Sequence, residues 1–173
     1  LVVLISSCTK FVEIDPPRTA LERTTVFSNQ ETAEAAVRGL YYTLNGGSTW
    51  TSFAGGIGSI TFLSSLSADE TETRSSNTNL DVFKNNTLLS SSINVRDLWK
   101  MMYETIYKAN AVIEGVNNST ELSLGFKQQF EGEAKVVRAF CHFYLANLFG
   151  DVALVLSTDY RINNVAGRTA VAD

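Results

Sequence analysis

Three stretches of the chain repeat apolar residues at helical spacing. After the polar run "SNQE", Ala33, Ala36, Val37, Leu40, Tyr41 and Leu44 recur three and four residues apart, the pattern of a helix with one apolar stripe. Ser28 with Glu31 reads as a capping box at its start, and Gly46-Gly47 as its stop. A second helix is expected from a cap near Asn94, with Val95, Leu98, Trp99, Met102, Ile106, Ala109, Ile113 and Val116 on one face. A third is expected from near Ser123 to Gly150. Its stripe holds Phe126, Phe130, Ala134, Val137, Cys141, Tyr144, Leu145 and Leu148.

Only "NNSTEL" separates the second helix from the third. Long helices joined by so short a link run antiparallel and bury their stripes against each other. The expected fold is therefore all-α, built on helical hairpins of the tetratricopeptide kind. One hairpin leaves an apolar face uncovered, and such units stack on further ones. The helical part is accordingly expected to be incomplete as it stands. Residues 45–93 break the pattern: "NGGSTWTSFAGGIGS" is rich in glycine and serine, and "ADETETRSSNTNLDVFKNN" is polar throughout. They read as a long irregular insertion, in which "SITFLSSL" forms a short helix or an extended segment. After Gly150, "DVALVL" reads as extended and "STDYRINNVAGRTAVAD" as loop.

The opening "LVVLISSCTK" places five large apolar residues before two serines and Cys8. Leu1 to Ile5 resemble the tail of a signal-peptide apolar region, and Ile5-Ser6-Ser7-Cys8 a bacterial lipobox. In that reading residues 1–7 are the remnant of the signal peptide. The Cys8 thiol takes a diacylglyceryl group, cleavage before it makes it the new N-terminus, and several acyl chains hold it to a membrane. The competing reading is an N-terminal strand with a buried free cysteine. The polar "TKFVEIDPPRTALERT" that follows, stiffened by Pro16 and Pro17, favours an extended tether over residues 8–27. The helical domain is then residues 28–173.

Composition narrows the chemistry. The 173 residues are 45% hydrophobic and 18% charged, with a net charge of −4, which argues against a nucleic-acid partner. Cys8 and Cys141 are the two cysteines and His142 the one histidine. That excludes a disulfide framework, most zinc sites and most histidine-dependent hydrolases. The glycines of "AGGIG" lack the lysine-hydroxyl pair and strand-turn-helix setting of a phosphate loop. No cofactor is implied.

"SSCTKFVEIDPP", "GLYYTL", "LSADE", "LWKMMYETIYKANAVIEGV" and "GEAKVVRAFCHFYLANLFGDVALV" occur in the order found in SusD/RagB-like proteins, and the chain resembles the N-terminal third of that family. The resemblance implies a non-catalytic, surface-exposed outer-membrane lipoprotein with a fold of stacked tetratricopeptide-like helix pairs. Such a protein captures oligosaccharides or other nutrients and passes them to a partner SusC-like TonB-dependent transporter. The family often carries proline where this chain has Ala153, a change that loosens one turn.

Several residues are candidates for contact with ligand. Asp69, Glu70 and Glu72 cluster with Arg74, and such groups hydrogen-bond vicinal sugar hydroxyls while Trp50 or Phe53 stacks on the ring. The same residues also read as a solvated acidic turn capped by Asp69 and Glu70; "LSADE" resembles a family segment that leads into ligand-facing loops. Trp99, Tyr103 and Tyr107 recur every four residues and read as hairpin interface rather than as a sugar platform. Asn110 and Arg138 match recurrent family positions, which implies hydrogen bonds across the hairpin, and Glu133 is a further polar residue within a helix. Cys141 reads as a buried free thiol. Two alternative functions remain: a glycoside hydrolase using Asp69 and Glu72 across a bond, and a purely structural tetratricopeptide-like adaptor.

Overall fold

The computed structural model describes residues 23–45, 59–74 and 76–171. Cys8, Pro16, Pro17, Gly46, Gly47, Trp50 and Phe53, and with them the lipobox and most of the tether, lie outside these residues. The elements in chain order are α1 (Arg23–Val26), α2 (Gln30–Leu44), α3 (Ile60–Ser67), α4 (Thr78–Lys84), α5 (Ile93–Asn118), α6 (Leu124–Phe149) and α7 (Tyr160–Asn163). The described part is all-α.

α5 and α6, each of 26 residues and so about 39 Å long, form the antiparallel hairpin. Its core divides in two. The first half of α5 (Leu98, Met102, Ile106) meets the second half of α6 (Cys141, Leu145), and α3 and α4 cover that end with Leu63, Leu66, Leu80 and Phe83. At the other end, Ala109, Val112 and Val116 of α5 meet Phe130, Ala134 and Val137 of α6, and α2 covers them with Ala33, Val37 and Leu40. The expected stripes are the buried ones, with Leu148 and Tyr41 left at the exposed margin.

Four local expectations change. Asn29, not Ser28, caps α2: its backbone is extended and its Oδ1 accepts from Thr32 N at 2.9 Å, while Ser28 Oγ donates back to Thr25 O at 2.8 Å. Ser92, not Asn94, precedes α5, and Asn94 Nδ2 instead donates to Asn79 O at 3.2 Å. Residues 23–27, expected as the end of an extended tether, make the short α1 and bury Phe27 in the second core. The insertion is not irregular throughout, since it holds α3 and α4. Both are too short to persist alone and exist by packing; the serines of α3 fit because Ser64 and Ser65 return their hydroxyls to Ile60 O and Phe62 O.

Gly115, a glycine inside α5, sets how the end of α1 meets that helix. A Cβ built there would lie 2.2 Å from Cδ2 and Cε2 of Phe27. Ser119, in the link between α5 and α6, fixes the same junction by donating from Oγ to Phe27 O at 2.7 Å.

Candidate functional site

The acidic turn after α3 is built from a helix stop. Asp69 takes a left-handed backbone, φ 58°, so Asp69 N–H returns to Leu66 O at 3.4 Å and Glu70 N–H to Ser65 O at 2.9 Å. That is a Schellman ending with aspartate at the position glycine favours. Ser65 Oγ and Thr71 Oγ1, 2.9 Å apart, tie the outgoing chain down. α4 ends the same way, with Asn86 at φ 51°. Asn86 Nδ2 then donates to Ser67 O at 3.2 Å, so the two helix ends brace each other. The outcome is a firm turn that holds Asp69 and Glu70 in solvent, with Glu72 and Arg74 exposed on the strand of chain that follows. Carboxylates and a guanidinium so presented suit hydroxyl recognition, and equally suit a solvated turn. Trp50 and Phe53, the expected stacking partners, lie outside the described residues.

The other polar candidates meet elsewhere, on an extended strap of residues 153–157 that crosses the hairpin. Asn110, fully buried in the middle of α5, accepts from Arg138 Nη1 at 2.7 Å and donates through Nδ2 to Val155 O at 3.2 Å and Ser157 O at 3.3 Å. Arg138 also reaches Leu156 O at 3.4 Å. Tyr103 donates to Ala153 O at 3.0 Å. Glu114, a residue no sequence pattern singles out, accepts from Ser157 Oγ at 3.1 Å and Thr158 N at 2.8 Å. Thus Asn110 and Arg138 join α5 to α6 and clamp the strap as well. Extended backbone without a ladder must find other partners for its carbonyls, and here helix side chains supply them.

Trp99 belongs to the same scaffold. Its ring lies 4.9 Å from that of Tyr103 and 5.0 Å, edge-on, from Phe149. Tyr107 is half exposed and outside this cluster. Glu133 accepts from Tyr41 Oη at 3.1 Å and Gln129 Nε2 at 2.9 Å, linking α2 to α6. Cys141 is a free, buried thiol whose pKa burial pushes up to about 12.

His142 packs between Tyr103 and the strap, its Nε2 3.4 Å from Val155 O. Burial lowers its pKa, and the positive charge of Arg138 adds to the effect against the opposing pull of Val155 O. As pH falls below the ordinary histidine value, near 6.5, the unfolded chain takes its proton first. Stability is therefore highest above that value and falls as the solution is acidified through it. Urea midpoints from pH 7.5 to 5.5 should show this decline, and His142→Gln should flatten it. Glu131 and Asp159, lowered by their bonds to Lys135 and Arg161, act in the same direction but in the more acidic carboxylate range.

The hairpin, the strap and the turn now stand beside known proteins. Residues 16–173 match the SusD-like family described as starch-binding and associating with the outer membrane. The chain belongs to the SusD-like family. SusD-like protein P25 of Formosa agariphila is 29% identical over 152 residues, covering 84% of this chain and 28% of that protein. A crystal structure of a SusD-like carbohydrate-binding protein from Bacteroides fragilis superposes with a TM-score of 0.63 at 24% identity, over 84% of this chain and 29% of that one. This SusD-like chain thus spans less than a third of the length of either relative. Binding is what these relatives are named for: the matched family is described as starch-binding and the Bacteroides fragilis protein as carbohydrate-binding.

Proposed function

We propose that this chain is the N-terminal part of a cell-surface glycan-binding lipoprotein, which captures oligosaccharides and delivers them to a partner SusC-like TonB-dependent outer-membrane transporter. The observation that carries the reading is the family match over residues 16–173. In this reading residues 1–7 are the end of a signal peptide, Cys8 carries the lipid, residues 8–22 tether the domain, and the helical frame begins with α1 at Arg23. Cys8→Ala then moves the complete protein from the membrane fraction to the soluble fraction. The complete protein retards on glycan affinity gels and leaves the polymer's chain length unaltered; shortened glycan after incubation would overturn the reading.

Asp69, Glu70, Arg74 and Trp50 are the residues proposed to touch ligand. Because Asp69 sits at a left-handed position, Asp69→Gly relieves backbone strain and should hold or raise stability by about 0.5–1 kcal/mol. A weaker glycan interaction in that variant therefore reports a lost contact and not a lost fold. Unchanged retardation would show that the carboxylate does not touch ligand.

A further inference from the structure

α2 keeps a glycine that its surroundings do not explain. Gly39 stands inside the helix, where glycine costs about 1 kcal/mol against alanine, and such a residue calls for a packing or functional reason. Gly115 has one in the ring of Phe27. Gly39 has none among the described residues, because a Cβ built there meets nothing within 4 Å. The space left by the missing side chain belongs to a groove of about 460 Å³ between α2 and α5, with Val26 and Phe27 as its third wall.

The groove has the make-up of a small-ligand site, in which apolar walls surround a few placed polar groups in a volume of roughly 300–1,000 Å³. Ala36, Leu40, Ala111 and Val112 form its apolar floor. Tyr42, 65% exposed, Thr43 and Lys108 line its rim. Thr43 Oγ1 donates to Gly39 O at 2.9 Å and accepts from Lys108 Nζ at 3.3 Å, which holds the ammonium in place. Among the described residues its other two hydrogens have no acceptor, so they are available to an occupant. A pyranose ring suits this chemistry: its C–H face lies on the apolar floor, the Tyr42 ring flanks it, and its hydroxyls accept from Lys108. Sugar is also the ligand that the family relation supplies, since the matched family is described as starch-binding. The groove is separate from the acidic turn, because α2 covers one end of the hairpin core and α3 and α4 cover the other.

We propose that the groove between α2 and α5 at Gly39 is a glycan subsite of its own, taking one pyranose ring against Tyr42 and Lys108. The subsite rests on the glycan-binding reading above. Separate subsites on one polymer chain reinforce each other, so the groove matters most for long glycans. The test compares the complete protein with its Gly39→Leu and Tyr42→Ala variants on gels cast with amylopectin. Leucine at 39 fills the groove from its floor, meets no protein atom at its Cβ and favours the helix, so the variant keeps its fold. Each variant should bind amylopectin about tenfold more weakly, while the urea midpoint of Gly39→Leu holds or rises. Unchanged retardation of Gly39→Leu would overturn the subsite and leave the binding reading standing. A lowered urea midpoint in Gly39→Leu would overturn it as well, by showing the groove filled with protein. Unmodified protein that amylopectin does not slow also overturns it; the binding reading falls only when gels of other glycans fail too.

Discussion

Gly115→Ala is expected to destabilise the domain by about 2 kcal/mol, although alanine is the better helix former. Propensity alone favours the change by about 1 kcal/mol. Against it, the new methyl would lie 2.2 Å from two ring carbons of Phe27, far inside van der Waals contact. The ring is buried, its main-chain carbonyl is held by Ser119, and overpacking of this kind costs about 1–3 kcal/mol, with more lost if the ring leaves the core. Urea unfolding measures the effect, and a double-mutant cycle identifies the cause. Combined with Phe27→Ala, the methyl meets empty space and the substitution should turn neutral or favourable. A cost that persisted without the ring would refute the steric explanation.

Asn110→Leu should cost about 3 kcal/mol or more. Leucine is close in volume, so packing changes little, but one substitution removes the Nδ2 donor shared by Val155 O and Ser157 O and the acceptor of Arg138. Ser157 O is left to Asn163 Nδ2 and Val155 O to His142 Nε2. Each neutral bond is worth about 1 kcal/mol and the charged one about 1.5–3 kcal/mol. Arg138→Met should cost less, because Asn110 Nδ2 still holds both strap carbonyls. Limited proteolysis near residues 153–158 should quicken in both variants, most in Asn110→Leu. A loss below about 1 kcal/mol in Asn110→Leu would show that the clamp does not couple strap to hairpin.

What the sequence disclosed tracks where side-chain pattern carries the information. α5 and α6 were legible because long stripes repeat without interruption, and α6 stops at Gly150, whose φ of 72° favours glycine. The cap of α2 was misplaced by one residue because Ser28 and Asn29 are both capable caps, and local geometry chose Asn29. α3 was legible only as a short helix or an extended segment, and packing with serine back-bonding decides for the helix. α4 stayed hidden among threonine, asparagine and aspartate, poor helix formers until packing holds them. The strap clamp left almost no trace: Tyr103, Asn110 and Arg138 recognise main-chain carbonyls, so no complementary sequence marks the other half of those contacts, and Glu114 meets only a common serine and threonine. Asn110 and Arg138 could be picked out only by family resemblance, and Glu114 by nothing. Gly115 did carry one signal, a glycine kept inside a helix at a cost in propensity, which asks for a packing reason. The acidic turn shows the converse, since Asp69 was found by its charge while its demonstrated role is conformational.

The strap's anchors grip peptide oxygens and leave the outward side chains of Leu154 and Leu156 about half exposed. Those two sites are thereby released to mutational drift: whatever side chain stands there, the oxygens being gripped are the same. The gripping residues have no such latitude. Variation across a population should gather on the held segment and be purged from the residues holding it, which is how a protein can revise a surface without disturbing the frame beneath.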